Sequence, residues 1–386
     1  MVNFFTFALP TEIQFGRGAI KVLGDELRAR GYNNPLIVTD KNMMATGLVD
    51  KVIKEVEKAG LNYQIFDDTV PNPRDYDCDK GAEFALKVDA DVLIAIGGGS
   101  AMDTAKTIAT IMTNGKTARD WFDVKLNVTS APVICIPTTC GTGSEVTFNA
   151  VITNSNTSLK ANIFDPKCAP ILALVDPDMI DNLPTPLVAS TGIDALTHAI
   201  EAYVCTVATP MTDAISLYAI KLIAENIVEA TNDNNLEALC NVMLASMMAG
   251  VAFGNADTAA VHSIAECFGG FYDIPHGVTN AIFLADVSEF SITGNPEKYA
   301  DVAKAMGVSL IGLSKDEAAL MGVKKIRELC KELKIPNLRT FEVVKPEDFE
   351  YLAEASSEHC CNPHNPIEFT KDDYLMIFKN VFSSTN

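Results

Sequence analysis

The second half of the chain carries four side chains of the types that bind metal ions. Asp194 and His198 lie in GIDALTHAIEAY, His262 lies in AVHSIAECFGG, and His276 lies in DIPHGVTNA. Asp194 and His198 are four residues apart, so a helix places both on one face. Three neutral imidazoles and one carboxylate suit a first-row divalent ion such as iron or zinc. Because the chain has only five histidines, the pattern favours a metal site over isolated core or surface histidines.

A glycine-rich segment in the first half has the form of a phosphate-binding turn. Residues 97–100 (GGGS) follow an apolar run and precede a predicted helix that contains Asp103 and Lys106. Glycine lets the backbone approach a phosphate closely, and a helix N-terminus offers free N–H groups. The segment is not a GxGxxG fingerprint, and a plain strand-to-helix turn is the alternative.

Two further segments have side chains that suit a nucleotide. Asp40 ends the run PLIVTD, where a carboxylate can bind the adenosine ribose and repel a 2′-phosphate, or simply cap a helix. The segment IPTTCGTGSE places the hydroxyls of Thr138, Thr139, Thr142 and Ser144 beside two glycines. Such a loop can bind phosphates or a nicotinamide amide, although Thr- and Gly-rich loops are often only turns.

The order of predicted elements places these segments in two domains. Strands are expected at 35–39, 62–66, 91–96 and 132–136, alternating with helices at 45–59 and 101–112, which favours a parallel, doubly wound sheet. After Leu183 helical periodicity dominates, with helices expected at 191–204, 211–230, 236–252, 258–269, 296–305, 315–333 and at the C-terminal end. We therefore predict an α/β dinucleotide-binding domain over residues 1–183 and an all-helical metal-binding domain over residues 184–386.

Composition narrows the choice of partners. The chain has 386 residues, 48% of them hydrophobic, and a formal net charge of −20, which opposes binding to nucleic acid or anionic membranes. The N-terminal segment lacks the pattern of a signal peptide, and the ten scattered cysteines form no CxxC pair. We therefore expect reduced thiols in the cytoplasm.

The pair Cys360-Cys361 lies beside His359 and would suit a soft metal ion. The alternative is that these are ordinary free cysteines, which are commonly buried without binding a metal. We assign His359 and His364 no ligand role.

Taken together, the motifs resemble those of the iron-containing (group III) alcohol dehydrogenases, and lactaldehyde reductases and 1,3-propanediol dehydrogenases look like the more similar members. The matching segments run nearly end to end: FGRGAI (15–20), LIVTD (36–40), PNP (71–73), GGGSAMDTAK (97–106), IPTTCGTGSEVT (136–147), GIDALTHAIEAY (192–203) and PHGVTNAI (275–282).

The resemblance implies a dinucleotide-binding α/β domain followed by a helical domain, with the site in the cleft between them, as in the dehydroquinate synthase-like superfold. It implies one divalent metal, Fe(II) or alternatively Zn(II), on Asp194, His198, His262 and His276. It implies NAD(H) on a set of residues in the first domain, and a homo-oligomer that acts on a small alcohol or aldehyde. The implied cofactor residues are Asp40, Asn72, Gly98, Gly99, Ser100, Asp103, Thr138, Thr139, Thr142 and Lys160, and the implied substrate-pocket residues are Phe148, Asn149 and Phe253.

The chain departs from the family pattern at two positions. Many relatives have a histidine, thought to help move the proton, where this chain has Glu266, and the usual NPR near the C-terminus is Asn362-Pro363-His364 here. Glu266 could relay the proton, support a ligand histidine, or be an ordinary surface residue.

Other activities stay open at this point. A small anionic aldehyde such as sulfoacetaldehyde or a short semialdehyde is one alternative substrate, and a glycerol dehydrogenase-like or dehydroquinate synthase-like enzyme is another reading. A phosphorylated sugar acid would call for several basic residues, whereas around the metal and nucleotide motifs we find only Lys106 and Lys160. A non-catalytic metal- or nucleotide-binding protein is disfavoured, because metal and nucleotide motifs occur together in family order.

Overall fold

The structure is a computed structural model that describes residues 4–157, 159–233 and 235–384. The chain divides into two compact units. One unit comprises Ala8–Leu183, and the other comprises Met1–Phe7 together with Pro184–Asn386.

The first unit is built from alternating strands and helices around a six-stranded sheet. The elements of this unit are β1 (Glu12–Phe15), α1 (Leu23–Arg30), β2 (Pro35–Val38), α2 (Lys41–Ala45), α3 (Leu48–Lys58), β3 (Gln64–Phe66), α4 (Asp75–Lys87), β4 (Val92–Gly97), α5 (Gly99–Asn114), β5 (Val133–Pro137), β6 (Asn149–Asn154), β7 (Leu159–Phe164) and β8 (Leu172–Val175). All neighbouring strands in the six-stranded sheet are parallel, in the order β1-β8-β5-β4-β2-β3.

The central strands are apolar throughout because helices cover both faces of the sheet. Ile37 and Ile94 pack with α1 and α3 on one face, while Leu36 and Leu93 pack with α4 and α5 on the other. Successive side chains of a strand point to opposite faces, so a strand that is buried on both sides reads as a continuous apolar run.

The strand order reverses beside β2, and this reversal positions the nucleotide motifs. β2 pairs with β3 on one side and with β4 on the other. In open α/β sheets, ligands bind outside the carboxyl ends of the strands at such a switch point. Asp40 follows β2 there and the Gly98-Gly99 pair follows β4, while the Thr39 hydroxyl donates to the Ile96 carbonyl at 3.0 Å and joins the two strand ends.

Two predicted elements of this unit differ in the structure, and others, such as α1, α4 and a hairpin, were not predicted. The helix expected at 45–59 is interrupted, because Gly47 adopts a left-handed φ of 75° between α2 and α3. The strand expected at 62–66 begins only at Gln64. An antiparallel hairpin of β6 and β7 pairs Asn149 with Phe164 and was not predicted, because its polar residues hide the alternation.

The second unit is a helical assembly in which each metal-binding motif lies on or next to a helix. Its helices are α6 (Thr185–Val204), α7 (Pro210–Asn232), α8 (Leu236–Asn255), α9 (Ala260–Tyr272), α10 (His276–Ser291), α11 (Pro296–Ala305), α12 (Lys315–Glu332), α13 (Phe349–Ser357) and α14 (Lys371–Ser383). Sequence periodicity missed α10, because consecutive residues such as Phe283, Leu284 and Ala285 are all buried and leave no single apolar stripe.

One helix among the described residues, α8, is long and apolar enough to cross a membrane by length and composition alone. Most of its apolar window is buried within the unit, where α8 packs against α6 and α7. A core helix of this kind passes the same test, so α8 is weak evidence for a membrane span.

A buried lysine connects α5 to the segment that follows the Thr-rich loop. The ammonium of Lys106, which is fully buried, donates to Ser144 Oγ at 2.7 Å, to Thr147 Oγ1 at 3.2 Å and to the Asn149 carbonyl at 2.8 Å. Asp103 lies 3.5 Å from the ammonium and accepts a 2.6 Å hydrogen bond from Ser144 Oγ. A buried charge is tolerated only when its hydrogen bonds are satisfied, as they are here.

We predict that Lys106→Met lowers the free energy of unfolding by about 3–5 kcal/mol, the usual cost of removing one partner from a buried ionic network. The substitution keeps the apolar stem but leaves the Asp103 carboxylate and the Asn149 carbonyl without their cation. Urea unfolding of the α/β unit measures the change. Lys54→Met, at an exposed position of α3, is the matched control and should stay within about 0.5 kcal/mol of the parent. A Lys106→Met chain as stable as this control would contradict the assignment.

Candidate functional site

The four predicted metal ligands come together in the helical unit. Asp194 and His198 are one turn apart on α6, His262 lies on α9, and His276 is the first residue of α10. One ligand atom from each residue lies within 4.8 Å of all the others. Asp194, His198 and His262 are buried, whereas the side chain of His276 is 31% exposed. Three of the four ligand side chains are therefore shielded from solvent, and the fourth, His276, is partly accessible.

This donor set fits a first-row divalent ion. Such ions hold imidazole nitrogen and carboxylate oxygen at about 2.0–2.2 Å, so two ligands of one ion lie at most about 4.4 Å apart. The four ligand atoms all lie within 4.8 Å of one another, so shifts of a few tenths of an ångström bring them into that range. Nitrogen and oxygen ligands without sulfur suit iron or zinc.

A close approach of two helices sets the spacing of the cluster. Gly277, next to His276, lies so near α6 that a Cβ atom there would stand 2.8 Å from the Ser190 carbonyl oxygen and 3.3 Å from Asp194 Cβ. Only glycine lets α10 come this close, and the approach brings His276 to Asp194.

A buried carboxylate orients one ligand histidine. Glu201, on α6, lies 2.5 Å from His262 Nδ1 and accepts the backbone N–H groups of Ala259 at 2.9 Å and Val261 at 2.7 Å. Because Glu201 holds Nδ1 of His262, the other ring nitrogen, Nε2, faces the cluster. Metal-binding histidines commonly donate a hydrogen bond from their second ring nitrogen to a carboxylate in this way.

An asparagine side chain contacts three of the four ligand residues. Asn280 Nδ2 donates to Asp194 Oδ1 at 2.6 Å and lies 3.2 Å from His262 Nε2 and 3.1 Å from His276 Nε2. One carboxylate oxygen and two imidazole nitrogens therefore converge beside one amide group.

The electrostatics of the cluster favour a charged carboxylate. Burial raises the pKa of Asp194, but the three nearby histidines and the Asn280 amide more than offset this and hold the pKa below its usual value. Burial lowers the pKa of His262, and the Glu201 carboxylate outweighs that effect, so the net pKa is raised. The carboxylate is thus in the ionised form that a metal ion requires.

Two predicted residues flank the ligands. The Phe253 ring stacks on His198 with ring centres 4.3 Å apart and planes inclined by 15°, which gives the cluster an apolar wall. Glu266 shares α9 with His262, as the sequence spacing predicted, and its Oε1 lies 3.9 Å from His276 Nδ1. Its side chain is 14% exposed, so Glu266 is not an ordinary surface residue.

In the α/β unit, the glycine-rich turn and the Thr-rich loop are adjacent. A Cβ atom at Gly98 would stand 3.2 Å from Thr139 Cγ2, and one at Gly99 would stand 3.0 Å from Thr142 Cγ2. Among the described residues, the buried hydroxyls of Thr138 and Thr139 have no hydrogen-bond partner. Ser100 follows in the first turn of α5. Orphaned hydroxyls beside a helix N-terminus fit an anionic or amide-bearing ligand.

Other predicted cofactor residues already have protein partners. Asn72 Oδ1 accepts a 2.9 Å hydrogen bond from Lys160 Nζ. Asp40 Oδ1 caps α2 by accepting from the backbone of residues 42 and 43, the alternative that the sequence offered, and Asp103 Oδ2 accepts from Val151 N at 3.2 Å. Their contacts with a nucleotide stay predictions.

The substrate-pocket residues are divided between the units. Phe148 is buried against Phe164, with ring centres 5.4 Å apart, and Asn149 begins β6. Phe253 belongs to the helical unit. Their assignment to one pocket stays a prediction.

Sequence reasoning missed three residues that support these sites. Glu201 lies three residues after His198 in the quoted motif, and Asn280 lies four residues after His276, so both offered a helical spacing signal. Lys106 was noted only as a positive charge, and its burial required the three-dimensional packing.

A second group of metal-binding side chains lies just after α13. His359, Cys360 and Cys361 each place one ligand atom within 4.8 Å of the others. The neighbouring Cys361 thiol and the His359 ring lower the pKa of Cys360 to about 5.

Comparison with known proteins identifies the family. A family model described as "Iron-containing alcohol dehydrogenase" matches residues 10–177, and one described as "Fe-containing alcohol dehydrogenase family, C-terminal" matches residues 188–382. The chain belongs to the iron-containing alcohol dehydrogenase family. The family uses NAD(H) and an iron ion, which confirms the predicted cofactors and enzyme class.

Three similar proteins illustrate the family. The NAD-dependent methanol dehydrogenase of Bacillus methanolicus is 39% identical over 99% of this chain and 100% of its own length. Lactaldehyde reductase of Escherichia coli is 39% identical over 95% of this chain and 97% of its own. A crystal structure of a 1,3-propanediol oxidoreductase matches with a TM-score of 0.96 and 36% identity, covering 98% of this chain and 100% of that one. This likeness confirms the predicted fold class.

We predict that Gly277→Ala weakens metal binding without touching a ligand. The added methyl group must push α10 away from the α6 backbone, which separates His276 from Asp194 and costs about 1–3 kcal/mol of stability through overpacking. Iron content after dialysis against a chelator measures retention, and chemical denaturation measures stability.

Gly269→Ala is the matched control for this substitution. It lies within α9, where a Cβ atom would meet only the Ile274 carbonyl at 3.6 Å, an ordinary contact. The control should retain metal like the parent. Equal iron retention in both variants would show that the α6–α10 approach does not set the ligand spacing.

Proposed function

We propose that this chain interconverts a small, uncharged alcohol or diol and its aldehyde, with NAD(H) as hydride carrier and one iron ion on Asp194, His198, His262 and His276. The observation that carries the proposal is the convergence of these four side chains in a buried cluster that is open beside His276. The names of the methanol, lactaldehyde and 1,3-propanediol relatives support small alcohols and aldehydes as the substrate class.

The bound iron ion would supply Lewis-acid polarisation of the alcohol or carbonyl oxygen. The protein contributes orientation around that ion. Glu201 keeps His262 in one tautomer by holding Nδ1, and Asn280 holds the Asp194 carboxylate. Phe253 covers the His198 ring and excludes water from that side, which strengthens electrostatic interactions in the cluster.

Nucleotide binding is assigned to the switch point of the α/β unit. The free N–H groups at the start of α5, after Gly98 and Gly99, would bind the pyrophosphate. The unpartnered hydroxyls of Thr138 and Thr139 would serve the nicotinamide end, and Asp40 at the end of β2 would face the ribose. This arrangement implies a preference for NAD(H) over NADP(H), because a carboxylate repels a 2′-phosphate.

The charges near the metal cluster favour an uncharged substrate over a small anionic aldehyde. The Glu266 carboxylate lies 3.9 Å from His276 Nδ1. His276 is the partly exposed ligand, so the carboxylate lies beside the accessible part of the cluster. In the α/β unit, Lys106 is buried on internal acceptors and Lys160 is bonded to Asn72. An anionic substrate would therefore meet a negative charge and lack these two lysines as partners.

We further propose a cytoplasmic homo-oligomer with no nucleic-acid or membrane partner. The net charge of −20 opposes anionic surfaces, and the ten cysteines carry no disulfide among the described residues. Gel filtration with light scattering measures the assembly.

The function is tested by NADH oxidation with short neutral aldehydes, using anaerobically iron-loaded protein. We expect turnover with the parent, and loss of both bound iron and nearly all activity in Asp194→Ala, because the carboxylate is one of four ligands. Repeating the assay with NADPH tests the ribose role of Asp40, and much slower turnover is expected. Full iron occupancy in Asp194→Ala would overturn the ligand assignment, and an iron-loaded parent inactive with every aldehyde would overturn the reaction.

Glu266 yields a separate prediction, because the family resemblance implies a histidine at this position in many members. We infer that Glu266 either passes the substrate proton to solvent or orients His276. Glu266→Gln keeps the shape of the side chain and removes its charge. A relay role predicts slower alcohol oxidation with unchanged iron content and partial recovery in Glu266→His, whereas an orienting role predicts weaker iron retention. A Glu266→Gln enzyme equal to the parent in rate and iron content would exclude both roles.

A further inference from the structure

Three consecutive residues after α13 direct their donor atoms into one small volume. Cys360 Sγ and Cys361 Sγ lie 3.9 Å apart, and Cys360 Sγ lies 4.0 Å from His359 Nδ1. Consecutive side chains of an extended chain point in opposite directions, so this convergence depends on the turn that follows α13. The catalytic assignments above use none of these three residues.

We propose that His359, Cys360 and Cys361 form a second metal site, specific for a thiophilic ion of the zinc class and built from other ligands than the Asp194 centre. His359 thereby takes a ligand role that the sequence alone did not assign to it. A tetrahedral zinc ion holds sulfur at about 2.3 Å and imidazole nitrogen at about 2.1 Å, which sets two sulfurs about 3.8 Å apart and a sulfur and a nitrogen about 3.6 Å apart. The observed separations of 3.9 and 4.0 Å lie within a few tenths of an ångström of these edges.

The turn that carries the three ligands is held by hydrogen bonds of its own. Asn362 Nδ2 donates to the Ser357 carbonyl at 2.8 Å and to the Phe369 carbonyl at 3.1 Å, which closes the segment into a loop. Thr258 Oγ1 donates to Cys361 Sγ at 3.2 Å. The Cys360 sulfur and burial raise the pKa of the Cys361 thiol, and the Thr258 hydrogen bond offsets this only in part, so a bound ion must displace the Cys361 proton.

Accessibility matches a site with an open coordination position. Cys360 is exposed, whereas His359 and Cys361 are half-buried. An ion can therefore enter from solvent beside Cys360, with three protein ligands and one position left for water or another small ligand.

The two clusters differ in the ions they should select. The Asp194 cluster offers three nitrogens and an oxygen, whereas the turn offers two sulfurs and a nitrogen. Soft thiolate ligands select zinc and similar ions, while the nitrogen and oxygen set also suits Fe(II). The chain should therefore bind iron and zinc at once, each in its own cluster.

The test uses the full iron-loaded chain, reduced and titrated with Zn(II) alone. We expect the parent to retain one zinc equivalent that is lost in Cys360→Ser and in Cys361→Ser, and to bind zinc more weakly in His359→Asn. With Cd(II) as the probe, the parent should show a thiolate-to-metal absorption band that both cysteine variants lack. The Asp194 cluster contains no sulfur, so this band reports only on thiolate sites.

Two controls separate this site from other thiols and from the proposed enzyme function. Cys240→Ser, a half-buried cysteine on α8, should keep both the zinc equivalent and the band. Asp194→Ala should also keep them, even though it loses iron. The proposal would be overturned if Cys360→Ser and Cys361→Ser both had the same zinc content and the same absorption band as the parent. A reduced parent that takes up no zinc and closes Cys360 and Cys361 into a disulfide on exposure to air would overturn it as well.

Discussion

The contact between α6 and α10 is the constraint on which the rest of the helical unit depends. α6 supplies Asp194 and His198, but these two ligands alone cannot enclose an ion. Gly277 allows the N-terminus of α10 to approach the α6 backbone, and Asn280, one turn further, donates to Asp194 at 2.6 Å. The same helix therefore delivers a ligand and holds another in place. A bulkier residue at the crossing would separate the two halves of the cluster, so the chemistry depends on helix packing as much as on ligand identity.

Much of the fold follows from sequence pattern, and the exceptions have physical causes. The buried strands β2, β4 and β5 appear as continuous apolar runs because helices cover both of their faces, and the long helices α7 and α8 were predicted close to their observed bounds. The pattern failed at Gly47, where one positive φ splits a predicted helix, and at α10, which is buried on several sides. Periodicity detects one-sided burial, so it gives little signal for a helix such as α10.

The candidate site was predictable in its ligands but not in its supports. Metal-binding residue types and their spacing identified Asp194, His198, His262 and His276, and the structure brings all four together. Glu201 and Asn280 are as important to the geometry, yet a single Glu or Asn in an apolar helix has several common explanations. Asp40 illustrates the opposite problem, in which a predicted binding residue also has a structural role. Its hydrogen bonds cap α2, and the same bonds would form with or without a bound ribose. Three-dimensional contacts are needed to tell a supporting residue from an ordinary one.

The most direct test of the central claim is anomalous X-ray diffraction from crystals grown anaerobically with iron. Data collected on both sides of the iron absorption edge locate the ion independently of any activity. If these four residues are the ligands, one strong iron peak lies within about 2.0–2.3 Å of one atom from each of Asp194, His198, His262 and His276. An iron-loaded crystal with its peak elsewhere, or with a peak that any of these four residues does not contact, would contradict the ligand assignment.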